Sequence, residues 1–139
     1  DRVAELTSAF LEALYQRVEP WRRTEFDSAP AFGQVFLSNI QKGRYLTVYV
    51  RAIPRNVPVA HIRYLTLQRA LVIEVDIAKA DFLRLVPNEA RRFKRKIVIG
   101  RTRKIAINGL NDLDDLKTVA EVIGKAIDEG LIVLPPRPE

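Results

Sequence analysis

Apolar residues recur at helical spacing near both ends of this chain and alternate along the sequence in between. The helical spacing, three to four residues, runs through 3–18 and again through 112–129. The alternation is clearest at 46–50 and 71–75, where every second residue is aliphatic. These patterns predict an α+β fold. The expected arrangement is an antiparallel β-sheet of about five strands, including two hairpins, with N- and C-terminal helices packed on one face, in the order α-β-β-β(β)-α-β-β-α.

Breaks in these patterns divide the chain into elements. Helices are predicted at 3–18, 77–86 and 112–129, with a further helical turn within 88–95. Strands are predicted in a hairpin at 32–53, at 61–67, at 70–76 and in a second hairpin at 96–108. Pro54 and Pro58 bracket residues 53–58, which are therefore predicted as a loop, and 131–134 are predicted as a closing strand or a packed extension.

Three residues are predicted to mark helix ends. Asp112 stands before the last helix, where its carboxylate accepts a hydrogen bond from a free backbone N–H. Asp76 is the candidate cap of the helix at 77–86 for the same reason. Gly130 follows the last helix, at a position where a left-handed backbone conformation favours glycine.

Length and the absence of cysteine limit the class of protein. A chain of 139 residues is expected to form one domain at 1–134, followed at 135–139 by a Pro-rich tail or linker stub. Without cysteine there is no disulfide and no cysteine-based zinc site, and no apolar stretch approaches the length of a membrane span. A cytoplasmic location is therefore expected. Because the chain starts at Asp1 and contains no methionine, it is expected to be an excised domain or a processed product.

The acidic residues are confined to three segments of the chain, 1–27, 74–89 and 112–139. Between them, 28–73 contain six Lys and Arg residues and 90–111 contain eight, with no Asp or Glu in either stretch. Segregated charge of this kind produces a local positive field that attracts polyanions. Since the acid-free stretches are mostly predicted sheet, the sequence predicts a basic surface on the free side of the sheet or at its hairpin tips.

The densest group of cations lies in the second acid-free stretch. Eight Lys and Arg residues fall within 14 positions: Arg91, Arg92, Lys94, Arg95, Lys96, Arg101, Arg103 and Lys104. Cations held this closely repel one another unless an anion lies between them, and phosphates are suitable because they accept hydrogen bonds from Arg and Lys. These eight residues are therefore predicted to bind nucleic-acid phosphates. The alternative is that they pair with the acidic helices of the same chain on a solvated face.

The outward side of the first hairpin combines aromatic and basic residues. The predicted binding residues there are Lys42, Arg44, Tyr45, Tyr49 and Arg51. Tyrosines beside cations stack on nucleic-acid bases while the cations hold the phosphates. The alternative is ordinary cross-strand packing, because Tyr favours strands in any context.

A catalytic or metal site is not predicted. His61 is the only histidine and has no sequence partner for a zinc site or a catalytic triad. Glu74 and Asp76 are two residues apart on a predicted strand, as Mg²⁺ ligands are in some nucleases, but Lys79 lacks the spacing that usually completes such a site. No catalytic residue, metal or other cofactor is therefore expected.

Three functional hypotheses follow from these patterns. The first is a non-enzymatic module whose basic hairpins contact the phosphates of DNA or RNA, or another polyanion, with little sequence specificity. The second is a protein–protein interaction domain that assembles into a homo-oligomer or a larger complex. The third is a fragment of a metal-dependent nuclease that uses Glu74 and Asp76. No stretch of the sequence carries a specific family motif.

Overall fold

The computed structural model describes residues 2–17, 46–52, 55–100 and 104–133, and at 46–52 and 55–58 it describes the backbone alone. In chain order the elements are α1 (Arg2–Arg17), β1 (Leu46–Ala52), β2 (Arg55–Leu65), β3 (Ala70–Val75), α2 (Lys79–Leu85), α3 (Ala90–Lys94), β4 (Ile97–Ile99), β5 (Ile105–Leu110) and α4 (Leu113–Asp128). The predicted α+β class, with an antiparallel sheet and a helix at each end, is confirmed.

The described strands form one sheet in the order β1-β2-β3-β5-β4, and every neighbouring pair is antiparallel. Four isoleucines face one another across it: Ile62 pairs with Ile73, Ile73 with Ile107, and Ile107 with Ile97. All four are buried. Because side chains alternate along a strand, this row fixes which side of each strand faces the core.

The helices at the two ends of the chain pack against each other over this row. Leu6, Phe10 and Leu14 of α1 are fully buried, as are Leu116 and the other apolar residues along one stripe of α4. They join the sheet side chains in a single core cluster. Burial of one such large side chain contributes about 1.5–3 kcal/mol, so this stripe is the main source of stability for α1 and α4.

The short helices α2 and α3 are attached to the core through two aromatic side chains. Phe82 of α2 and Phe93 of α3 are fully buried, with ring centroids 5.5 Å apart in an edge-to-face arrangement. A helix of five residues is too short to persist on its own in water, so α3 depends on Phe93 for its position. The burial of Phe93 leaves Arg91, Arg92 and Lys94 of α3 exposed.

Both predicted caps of the last helix are confirmed. The Asp112 carboxylate accepts a hydrogen bond from the Asp114 N–H at 2.8 Å. Gly130 has a φ of 75°, and the next residue, Leu131, donates its N–H to the Ala126 carbonyl at 2.8 Å. Residues 131–133 are not a strand, and the buried Ile132 makes them the packed extension that was the alternative.

The predicted cap at Asp76 is wrong. Helix α2 begins at Lys79, later than the predicted start at 77, and its N-cap position is Ala78. No side-chain hydrogen bond caps the helix at Ala78. The predicted helical turn within 88–95 is present as α3.

The predicted loop at 53–58 is wrong from Arg55 onward, because β2 begins there and includes Pro58; residues 53–54 lie outside the described residues. Proline has no N–H to donate to a sheet and is tolerated where pairing is irregular. The β1–β2 register shifts between Val48 and Tyr49, and Tyr49 is the partner of Pro58. Strand β1 therefore forms a hairpin with β2, while residues 32–45 of the predicted first hairpin lie outside the described residues.

Candidate functional site

Helix α3 and the turn after it carry five of the eight cations predicted in the second acid-free stretch. Four of these cations, Arg91, Arg92, Lys94 and Arg95, are exposed, and Lys96 is half-buried. An open groove of about 670 Å³ is lined by Arg91, Arg92, Arg95, Lys96, Asn88 and Glu89. Four cations and one acid thus surround a single space.

Two of the lining cations are held in place by the protein. The Arg92 Nη1 lies 2.9 Å from the Asp115 Oδ1, and the Arg92 guanidinium lies 5.3 Å from the centre of the Phe93 ring. The Asp115 side chain is only 5% exposed, whereas that of Arg92 is 50% exposed. The Lys96 Nζ donates a hydrogen bond to the Gly109 carbonyl at 2.9 Å.

The other cations of α3 have no acidic partner among the described residues. No Asp or Glu in that part of the chain lies within ion-pair distance of Arg91, Lys94 or Arg95. The alternative prediction was that these cations pair with the acidic helices of the same chain. Among the described cations of the cluster, that prediction holds for Arg92. Arg91, Lys94 and Arg95 are thus exposed and without an ion pair to any described residue.

Apart from Arg92–Asp115, the described ion pairs use arginines that lie outside the acid-free stretches. The ion pairs are Arg2–Glu5, Arg17–Glu121, Arg17–Asp128, Arg84–Asp81 and Arg84–Glu129. The Glu129 carboxylate, by hydrogen bonding to Arg84, raises the pKa of that guanidinium above its ordinary value. Pairing within the acidic segments leaves fewer carboxylates to neutralise the groove.

A second polar cluster lies on the side of the sheet opposite the isoleucine row. His61 of β2 pairs in register with Glu74 of β3, which pairs with Ala106 of β5. Burial lowers the pKa of His61, and the positive charge of Lys104 lowers it further, whereas Glu74 acts in the opposite direction. The spacing of His61 and Arg63, two residues apart on β2, is the sequence signal that could have indicated this cluster.

The predicted site residues are thus divided between several places. Arg91, Arg92, Arg95 and Lys96 come together at the groove, and Lys104 lies beside His61 on the sheet. The backbone of Tyr49 and Arg51 belongs to β1, and their side chains lie outside the described part of the chain. Outside the described residues altogether are Lys42, Arg44, Tyr45, Arg101 and Arg103.

The proposed nuclease carboxylates do not share one environment. Glu74 is half-buried within β3, and Asp76 is exposed beyond the end of that strand. Across the described ranges, no three His, Asp or Glu side chains converge in a way that could hold a metal ion. None of the helices described is long and apolar enough to cross a membrane.

No known protein-family model, curated protein or solved structure matches the chain. The function of the groove is therefore inferred from its own geometry and charge. The features that carry this inference are the exposed Arg91 and Arg95 and the fixed position of Arg92.

Proposed function

We propose that this domain is a non-enzymatic binding module that holds the phosphates of DNA or RNA, or another polyanion, on the basic surface around α3. The observation that supports this proposal is the exposure of Arg91, Lys94 and Arg95 without an acidic partner in the described part of the chain. Three adjacent unpaired cations repel one another. Phosphates relieve that repulsion and accept hydrogen bonds from the Arg forks and the Lys ammonium.

The chemistry of the groove favours contact with the nucleic-acid backbone over reading of bases. Its described lining consists of charged and amide side chains, and the one aromatic residue of α3, Phe93, is buried in the core. Contacts from Arg and Lys to phosphate position a protein on nucleic acid and carry little sequence information. Tyr45 and Tyr49, with Lys42, Arg44 and Arg51, remain proposed as a second contact that adds stacking.

Binding to a short DNA duplex and to a single strand, measured over a range of salt concentrations, tests this function. Each phosphate neutralised on a duplex makes the slope of log K against log salt steeper by about 0.9. Replacing Arg91 and Arg95 with Ala is therefore expected to make the slope shallower by about 1.8. The matched control is K117A/K125A, which removes two exposed cations from α4 and the same total charge.

The control variant is expected to keep the wild-type slope, because its cations lie outside the groove. Equal slopes for the two double variants, or no binding at low salt, would contradict the proposal. The triple variant R101A/R103A/K104A, in the same assay, measures what the rest of the predicted cluster contributes.

A second candidate function is self-assembly through β4. Val98 and Ile99 on this strand are 56% and 62% exposed, which is unusual for aliphatic residues of a sheet. A second copy of the chain would cover them. A mass in solution that rises with protein concentration, in a protein that shows no nucleic-acid affinity, would favour this candidate over the first.

A further inference from the structure

We propose that the groove is a discrete site for one phosphate group, and that Asp115 is a positioning residue that holds Arg92 for it. This inference rests on the proposed function, since it concerns the same surface. It goes further because it assigns a role to a buried acid, which a surface that attracts anions by charge alone would not require.

Arg92 is fixed by contacts that originate in the core. Its guanidinium lies 2.9 Å from the buried carboxylate of Asp115 and 5.3 Å from the ring of Phe93, and Phe93 in turn packs on Phe82. A long side chain normally loses rotamer freedom when it binds a ligand. For Arg92 much of that freedom is already lost on folding, so binding a phosphate orders it less.

The contact with Asp115 leaves most of the Arg92 donors available. A guanidinium carries five N–H donors, and the ion pair brings one nitrogen, Nη1, to 2.9 Å from the Asp115 Oδ1 without forming a hydrogen bond to it. Half of the Arg92 side chain is exposed, whereas the Asp115 side chain is 5% exposed. The carboxylate therefore lies behind the guanidinium, and the free edge of the fork is presented to the solvent side.

The remaining lining suits one phosphate and the group to which it is attached. Arg91 and Arg95 line the same groove from exposed positions, and Lys96 is fixed by the Gly109 carbonyl. The volume of about 670 Å³ falls within the range of about 300–1,000 Å³ that is typical of small-ligand sites. The phosphate could belong to a free phosphorylated compound or to a nucleic-acid backbone.

A positioning role and a purely electrostatic role predict opposite effects for the same substitution. Asp115→Asn removes a negative charge close to the groove, so bulk electrostatics alone would strengthen anion binding. If Asp115 orients Arg92, the same substitution weakens binding because the guanidinium loses its charged partner. Glu89→Gln is the matched control, since Glu89 also lines the groove but makes no described ion pair.

The experiment is calorimetric titration of the wild type and of the D115N, E89Q and R92K variants with inorganic pyrophosphate and, separately, with a short oligonucleotide. D115N is expected to weaken binding about three- to tenfold and E89Q to strengthen it about twofold. R92K keeps the charge but loses the planar fork, and it is expected to weaken binding as D115N does. In an R92K background, D115N should cause no further loss.

Circular dichroism checks that each variant is folded. If D115N is not folded, the comparison of R92K with the wild type tests the site. Weaker binding of both probes by D115N supports a site that accepts free phosphate compounds, and weaker binding of the oligonucleotide alone supports a backbone phosphate. Binding by D115N that equals or exceeds the wild type overturns the positioning role while the polyanion surface stands. If neither probe binds the wild type at low salt, the proposed function itself is wrong.

Discussion

His61 is a half-buried histidine whose neighbours disfavour its charged form. Burial and Lys104 both lower its pKa, and Glu74 offsets part of this effect. A histidine with a lowered pKa in the folded state binds fewer protons there than in the unfolded chain at the same pH. Its contribution to stability is therefore fully present above the unfolded pKa of about 6.5 and is lost as the pH falls through the folded pKa.

We predict that His61→Gln reduces the dependence of stability on pH below about 6.5. The free energy of unfolding in urea would be measured for both proteins at about pH 8 and about pH 5.5, and the wild type should lose more on acidification. The difference between the two proteins removes the contribution of the carboxylates, which both share. A larger loss in the glutamine variant, or an NMR titration that places the folded His61 pKa above 6.5, would contradict this.

Of the helix-end roles predicted from the sequence, those of Asp112 and Gly130 are confirmed and that of Asp76 is wrong, while roles set by distant contacts could not be predicted. Asp112 and Gly130 act within one turn of the helix that they cap, so their positions relative to the apolar stripe were sufficient. The pair of Arg92 with Asp115 joins residues more than twenty positions apart, and it depends on how α3 docks beside α4. Nothing in the spacing of either residue indicates the other.

Where α1 crosses α4, a glycine makes room for a charged side chain. A Cβ placed at Gly124 would overlap the guanidinium of Arg17. From that position Arg17 reaches Glu121 at 3.5 Å and Asp128 at 3.1 Å, on either side of the glycine along α4. Glycine within a helix costs about 1 kcal/mol relative to alanine, and here the ion pairs offset part of that cost.

We predict that Gly124→Ala and Arg17→Ala are energetically coupled. In the R17A background, G124A should stabilise the protein by about 1 kcal/mol, because alanine favours the helix and the guanidinium atoms nearest to the added Cβ are gone. In the wild-type background the gain should be smaller by about 0.5–1 kcal/mol, because the two ion pairs are disturbed. A double-mutant cycle from urea unfolding measures the coupling. If the effects of the two substitutions add to within about 0.3 kcal/mol, the added methyl group does not disturb the Arg17 ion pairs.

At the scale of elements, the sequence predicted regular segments well and an irregular one poorly. The periodic stretches that became α1, β3 and α4 were located to within a few residues. The start of β2 was missed because Pro58 indicates a loop on propensity alone, whereas a register shift in the pairing of β1 with β2 accommodates it. Such a shift is a property of two paired strands, and it is not encoded in either one.

Across the described part of the molecule, most ion pairs involve α1, α2 and α4, whereas the exposed cations of α3 and the turn after it are mostly without an acidic partner. The described ion pairs mostly join acids to Arg2, Arg17 and Arg84, which themselves lie in the acid-containing segments, while Arg91, Lys94 and Arg95 have no described acidic partner. Segregation of charge along the sequence thus becomes segregation of charge in space. The sequence predicted a basic surface on the free side of the sheet or at its hairpin tips, whereas most described cations of the densest group lie on α3 and the turn after it, at a place set by the docking of Phe93.

We predict that pyrophosphate stabilises the protein more than chloride does at equal ionic strength. A ligand at about ten times its dissociation constant adds about 1.4 kcal/mol, which corresponds to a rise in Tm of about 3–6 °C for a chain of this size. R91A/R95A should lose most of this rise, and K117A/K125A should retain it. The same shift in all three proteins would indicate a general salt effect rather than occupancy of the groove.

Phe93 is the one buried side chain of α3, and its ring rests on Phe82 of the preceding helix. If this aromatic contact opened, α3 would lose its attachment to the core, and Arg92 would move away from Asp115 even though the sheet remained intact. Conversely, an anion bound to Arg92 beside Asp115 would favour the state in which the two rings are in contact. Anion binding at the groove and contact between the Phe82 and Phe93 rings therefore belong to one local equilibrium. Either a ligand or a core substitution can shift it.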